Sequence, residues 1–386
     1  MIKVAVIGTG SIANAHMDAY VRTFKGRCQV VALADIYEDK AVALKEKFGI
    51  ECRISRDYHD LLDQDIDLVS VCTPPYTHAE IAIAFLRAGK HVLVEKPMAS
   101  SLEECDLMLE AAAESGRILS VIGQNRFRDP IMKLKRLIDT GLAGKVVHAQ
   151  VDSFWWRGHC YYDLWWRGTW EKEGGGCTLN HAVHHIDMLQ WMMGMPDKVT
   201  AVMSNTSHDN AEVEDISIAI LSYGNGSLAQ ITSSVVHHGE EQQLIFQTEK
   251  ARISAPWKVY ASISKENGFP ERNPALEEEL EKTYQHFPDL PYTGHAGQID
   301  DVLKAIESGS HKVLVDGREG CKTLELITAI YEAAATGQSV KLPLTRDNLF
   351  YSREGLLKNA PHFYEKTSSL VSFAKNDITL GSDYKK

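Results

Sequence analysis

The chain has 386 residues, a formal net charge of −11, 44% hydrophobic residues and 24% charged residues. That length supports two domains with substantial cores, and the acidic balance argues against nucleic acid, whose recognition rests on a basic patch. No apolar run is long enough to span a bilayer. Seven scattered cysteines (Cys28, Cys52, Cys72, Cys105, Cys160, Cys177, Cys321) form no C-x-x-C pair and read as reduced cytoplasmic thiols rather than a disulfide framework.

The opening "MIKVAVIG" reads as a strand from its second residue, with no signal peptide expected ahead of it. Further strands are expected at "VVALAD", "DLVSVC", "HVLVEK" and "ILSVIG", with helical patterns such as "EDKAVALKEKFG" and "HAEIAIAFLRAGK" between them. Continuous apolar strands alternating with helices predict a parallel sheet covered on both faces. The first strand runs into "GTGSIA", which fits G-x-G-x-x-A between a strand and a helix. Gly8 permits the tight turn, and Gly10, Ser11 and Ile12 bring the backbone to a pyrophosphate at the helix start. Asp35 ends the second strand, where a carboxylate binds the adenosine ribose and repels a 2′-phosphate, so NAD is expected over NADP.

The fifth apolar strand ends in Glu95, Lys96 and Pro97. Taken alone this reads as a surface turn with a salt bridge. "VCTPPYTHAEIA" follows the fourth strand, and "EGGGCTLNHAVHHID" lies well downstream. Together with "GTGSIA" and "VEKP", these stretches resemble the glucose–fructose oxidoreductase / inositol dehydrogenase / MocA (Gfo/Idh/MocA) family over roughly residues 1 to 345. The resemblance implies an α/β chain: an N-terminal Rossmann dinucleotide-binding domain (1–123), then a C-terminal α+β domain with a mostly antiparallel open sheet (124–386). It also implies that Lys96 is catalytic, with a commonly cis bond to Pro97, and that His184 shares the proton handling. Glu95, Thr73, Pro74, His78 and Gln124 are expected to line the cofactor with Lys96.

Asn180 stands where the family more usually has aspartate; an amide cannot relay a proton but can orient a hydroxyl. Some family members acting at the 3-position of sugars carry Asn there. Arg126, in "GQNRF", reads equally as a substrate contact or an interdomain ion pair. His181, His184 and His185 share one helical face, yet the family's hydride chemistry needs no metal and none is expected. His181 and His185 then read as core or pocket-rim residues, and Asp187 as a packing or capping acid.

From about Lys145, "KVVHAQVDSFWW", "VTAVMSN", "DISIAILSY", "SLAQITSSVVHH" and "QQLIFQT" read as successive strands, with helices near 178–193, 294–308 and 318–336 covering one face. The free face predicts a homo-oligomer. "FWWRGHCYYDLWWRGTW" repeats Trp-Trp-Arg-Gly, and two readings stand evenly. Trp156, Trp165 and Arg167 could stack on and bind a sugar or an aromatic aglycone, or the tryptophans could anchor the loop in the core. The expected activity is NAD-dependent oxidation of a secondary alcohol of a sugar, glycoside or cyclitol, at position 3 of a glucose-like ring. The alternatives are glycoside cleavage by transient oxidation and elimination, or a non-catalytic NAD sensor. No chemistry is assigned to residues 348–386.

Overall fold

The computed structural model of the protein describes residues 1–371 and 373. Six strands build the first sheet: β1 (Ile2–Ile7), β2 (Cys28–Ala34), β3 (Arg53–Ser55), β4 (Leu68–Val71), β5 (His91–Val94) and β6 (Leu119–Val121). They lie in the order β3-β2-β1-β4-β5-β6, and every pair is parallel. The order reverses beside β1, which puts a ligand crevice at the carboxyl ends of β1 and β4. Helices α1 (Ala13–Met17), α2 (Glu38–Phe48), α3 (His78–Arg87) and α4 (Leu102–Ser115) make the crossovers. β4 and β5 are buried along their whole length, as a sheet covered on both faces requires.

The second sheet has nine strands. After α5 (Asp129–Thr140) come β7 (Val146–Phe154), the short helix α6 (Cys177–Asn180), α7 (Val183–Met193), β8 (Lys198–Ser204), β9 (Ile216–Ser222) and β10 (Leu228–Ser234). β11 (Gln242–Thr248), β12 (Ala251–Ala255), β13 (Lys258–Ser264) and β14 (Pro270–Arg272) follow, and β15 (Val340–Lys341) closes the far edge. Their order is β14-β13-β12-β11-β7-β10-β9-β8-β15, antiparallel throughout except for β7 with β10. Alternation sets the faces: Ala219 and Leu221 of β9 are buried, while Ile218 and Ile220 are exposed. Inward residues such as Val151, Leu221, Ile231 and Phe246 share one core with Ile186 and Leu189 of α7.

Three helices complete the fold: α8 (Pro274–His286), α9 (Gly294–Ser308) and α10 (Gly317–Thr336), with α11 (Arg353–Asn359) after β15. Helix α9, expected on the second sheet, packs on the first instead. Its Ile299, Val302 and Leu303 share a core with Val4, Val6, Met17 and Leu33, and Arg27 bonds Asp300 and Glu307 at 2.6 and 2.8 Å. The chain thus returns to the nucleotide-binding half after building the second sheet. Buried Gln298 of α9 also bonds Gly123 and Val121 at the end of β6. The helix expected over 178–193 is two helices, because the N–H groups of His181 and Ala182 both reach the carbonyl of Cys177 and shift the ladder. Among the described residues no helix is long and apolar enough to cross a membrane.

Candidate active site

The turn after β1 is built for close approach. Gly8 has φ +87°, and a Cβ there would lie 2.7 Å from the backbone of Cys72, so only glycine fits. A Cβ on Gly10 would meet nothing within 4 Å, which leaves open space over the start of α1. Asp35 faces the same turn: it accepts from Thr9 N and Oγ1, both at 2.8 Å, and from Tyr37 N at 2.9 Å. Gln124 keeps a buried Oε1 with no partner. This open cradle, fixed carboxylate and orphaned acceptor fit a dinucleotide. His78 is fully buried and its ring bridges the carbonyls of Thr73 and Pro97, both at 2.8 Å. It ties the turns after β4 and β5 together and has no nitrogen left for a cofactor, contrary to the sequence expectation.

Lys96 follows β5, and its peptide bond to Pro97 is cis. Its Nζ donates to the carbonyl of Asn180 at 3.1 Å. Burial lowers the Lys96 pKa, with neighbouring Glu95 opposing and Arg167 assisting. Glu95 itself is held elsewhere. Its Oε1 accepts from His16 Nε2 at 2.9 Å and His295 Nε2 at 3.2 Å, while Oε2 takes the Lys96 N–H at 3.2 Å. His16 Nδ1 meets Ser70 Oγ at 3.1 Å, and Tyr20 meets the same hydroxyl at 2.7 Å. Burial pushes Glu95 up, but the two imidazoles more than offset it and hold the carboxyl well below its usual range. Glu95, expected to line the cofactor, thus has both oxygens engaged within the protein. Three ligand-capable atoms of His16, Glu95 and His295 lie within 4.8 Å of one another, but their short contacts are those of a hydrogen-bonded cluster.

The segment facing Lys96 is positioned from below. Glu214, wholly buried, accepts from Gly176 N at 3.1 Å, Thr178 N at 3.0 Å and the Tyr331 hydroxyl at 3.0 Å. A Cβ on Gly176 would fall 1.9 Å from the Glu214 carbonyl oxygen, which explains the glycine run before α6. Asn180 Nδ2 donates to Gly175 O at 3.1 Å. His184 projects from the first turn of α7. Burial, then the charge of Lys96, hold its pKa well below the ordinary range, so the ring is neutral. Arg126 does not face this space. Fully buried, it forms a fork with Asp187 at 2.8 and 2.7 Å and bonds Glu319 at 2.9 Å, which is the ion-pair alternative rather than the substrate contact.

The tryptophan-rich segment also sends rings toward these groups. Trp156 is 45% exposed and stacks on His238, and the Trp165 backbone N–H donates to the carbonyl of Leu370 at 2.9 Å. Trp155 and Tyr161 instead flank His181, each 5.7 Å from its ring. Arg167 lies over Tyr161 and Trp166 and pairs with buried Glu173 at 2.9 Å. Trp170 is core: it packs edge-on against Tyr331 and donates to the Pro361 carbonyl. The chain after Pro361 thus runs along this segment, with Leu370 N reaching Asp163 O at 2.8 Å. Nothing in the tail's polar sequence signals that docking. His16 was legible in principle, one turn beyond Ala13 of the glycine motif; His295, Glu214 and Glu173 carry no local signal.

Residues 2–122 match the GFO_IDH_MocA model, an oxidoreductase family with an NAD-binding Rossmann fold, and residues 131–254 match the GFO/IDH/MocA C-terminal domain. The inositol 2-dehydrogenase of Salmonella typhimurium is 29% identical over 205 residues, 52% of this chain and 57% of that protein, so the match spans little more than half the relative's length. The D-glucoside 3-dehydrogenase of Escherichia coli is 25% identical over 366 residues, 88% of this chain and 97% of that protein. The solved structure of the WlbA dehydrogenase from Chromobacterium violaceum, in complex with NADH and UDP-GlcNAcA, superposes with a TM-score of 0.77. It is 30% identical, over 89% of this chain and 96% of that one. With both halves matched in order, the chain belongs to the GFO/IDH/MocA family of NAD-binding oxidoreductases.

Proposed function

We propose that the protein oxidises a secondary alcohol of a sugar, glycoside or cyclitol, at position 3 of a glucose-like ring, with NAD as cofactor. The observation that carries the reading is a lysine of lowered pKa at the carboxyl end of β5, facing a neutral histidine from the second domain. NAD⁺ supplies the hydride acceptor. Gly8, Gly10, Ser11 and Ile12 would hold its pyrophosphate, and Asp35 its adenosine ribose, with Thr73, Pro74 and Gln124 along the wall. Neutral Lys96 takes the hydroxyl proton onto Nζ as the carbon gives up hydride, so alcohol becomes ketone and lysine becomes ammonium. His184, neutral, orients that hydroxyl and passes the proton outward, and Asn180 fixes the neighbouring hydroxyl. The 3-position draws support from Asn180 and from the D-glucoside 3-dehydrogenase relationship.

The test is NADH formation from inositols, monosaccharides and aryl glycosides, followed by product analysis for the ketone position. Oxidation at C3 of a glucose-like ring is expected; a protein that binds NAD yet forms no NADH from any of them refutes the reading. The exposed Val147, Val202, Ile218, Ile220 and Leu228 on the outer face of the second sheet support self-association. Light scattering of Ile220→Glu should then report a smaller species than the parent, and a monomeric parent would remove the idea.

A further inference from the structure

Around Tyr161 two guanidinium groups gather where a neutral sugar needs none. The Arg167 carbon lies 4.1 Å from the Tyr161 ring centre and 4.2 Å from that of Trp166. Arg157 lies 5.7 Å from the same tyrosine and 5.3 Å from Trp155. Each arginine is anchored through Nη1 alone: Arg167 to Glu173 at 2.9 Å, and Arg157 to Glu240 and the Trp156 carbonyl, both at 2.6 Å. The Tyr161 hydroxyl lies beside Arg157. Apart from the contact of Arg157 with the Tyr161 hydroxyl, the remaining guanidinium nitrogens of both have no further partner among the described residues and are not sealed in the interior. Planar guanidinium donors set over aromatic rings and held at Nη1, with other N–H groups to spare, are suited to a planar or tetrahedral oxyanion.

A second observation stands beside them. His181 is 7% exposed, with an enclosed Nδ1 that has no partner. It sits between the Trp155 and Tyr161 rings. After burial, Arg157 and then Arg167 do most to hold its pKa well below the ordinary range. Two guanidinium groups, each paired with one carboxylate through Nη1, thus stand beside an unsatisfied imidazole. Both arginines have a buried carboxylate partner at Nη1, Glu240 for Arg157 and Glu173 for Arg167, and burial pushes Glu173 up.

We infer that the sugar substrate carries an anionic group, a carboxylate or a phosphate, seated between Arg157 and Arg167 with His181 beside it. The inference rests on the dehydrogenase reading above and names its substrate class. Arg167 is also among the charges that act on Lys96, so the anion belongs to the same sugar whose hydroxyl is oxidised. The arginines then fix which hydroxyl meets Lys96, so they set regiochemistry as well as affinity.

The experiment compares methyl glycosides of gluco, galacto and manno configuration, each as the neutral sugar, the uronate and the 6-phosphate, by NADH formation. The expected result is kcat/KM at least about tenfold higher for an anionic member than for its neutral counterpart, the scale of charge-assisted hydrogen bonds. Whichever of uronate and phosphate wins identifies the group. Arg167→Met and Arg157→Gln should each remove most of that ratio through KM. Arg157→Gln keeps the test alive if loss of Arg167 strands Glu173 and prevents folding. Titrating the parent with the same sugars should quench tryptophan fluorescence, since Arg167 lies on Trp166, and the quench should weaken in both variants. Neutral sugars turned over as well as the anionic ones in all three configurations would overturn the inference and leave the dehydrogenase reading standing. No NADH from any sugar would overturn both.

Discussion

Replacing Arg126 with leucine separates a buried ion pair from a substrate contact. The guanidinium is fully enclosed and makes three charged hydrogen bonds, two to Asp187 at 2.8 and 2.7 Å and one to Glu319 at 2.9 Å. The Asp187 side chain is 8% exposed, so Arg126→Leu strands an anion where water cannot reach it. Breaking such a pair from one side costs about 3–5 kcal/mol. Two features place this site near the lower end. Thr323 still donates to Asp187 at 3.0 Å, and Glu319 keeps Lys322 at 2.7 Å. A loss of about 3 kcal/mol is expected from chemical denaturation followed by tryptophan fluorescence, with KM of the folded variant little changed. The pair variant Arg126→Leu/Asp187→Leu should recover at least about half of the loss, because the stranded charge is gone. A stability change within about 0.5 kcal/mol together with a tenfold rise in KM would refute the reasoning and make Arg126 a binding residue.

Lys96→Ala should keep the fold and NAD binding, read by calorimetry, while turnover falls at least about a hundredfold; near-normal turnover would return Lys96 to a surface turn. Oxidation needs neutral Lys96, so kcat/KM rises with pH through its pKa, and burial places that rise below the ordinary lysine range. Glu95→Gln removes the anion that opposes this shift, so the rise moves to lower pH, and an unmoved profile counts against the coupling. Asp35→Ala should narrow a strong preference for NAD over NADP, measured as the ratio of kcat/KM values, and equal use of both by the parent would sink the assignment. Ending the chain at His362 keeps the Pro361 carbonyl on Trp170 but removes the contacts of Leu370 with Asp163 and Trp165 and of Phe363 with Glu212. KM should rise while the melting temperature changes little, and unchanged kinetics would make the tail a bystander.

Local patterns carried the nucleotide-binding half because each signal there is short-range. A glycine at positive φ, an acid at the next strand end and wholly apolar strands are each dictated by neighbours in sequence. The two-sheet division was legible for the same reason, through alternation in the later strands. What escaped was long-range. His295 is 200 residues from the Glu95 it holds, and α9 looks like any amphipathic helix until Val4 and Leu33 are seen beneath it. In the Trp-Trp-Arg-Gly repeats composition marked the segment as unusual, but which aromatic rings flank His181 depends on residues that the fold brings together. Arg126 shows the limit most clearly: beside a hinge either role suits its chemistry, and only Asp187 and Glu319 arriving from other elements decide it.

The adjacency of Glu95 and Lys96 explains why a site of this kind needs a buried cluster behind it. A carboxylate paired with Nζ would stabilise the ammonium form and raise the pKa, which is the wrong direction for a base. Here the pairing does not occur. His16 and His295 hold Oε1 at 2.9 and 3.2 Å, the Lys96 N–H takes Oε2, and Nζ turns to the neutral carbonyl of Asn180. The anion therefore acts on Lys96 only through space, as a counterweight to burial. Too little of that counterweight would leave ammonium formation during oxidation unfavourable, and direct contact would leave no neutral base to begin it. On the proposed base role of Lys96, the imidazole clamp sets a position between the two, from two helices, α1 and α9, that the chain brings together across the whole length of the second domain.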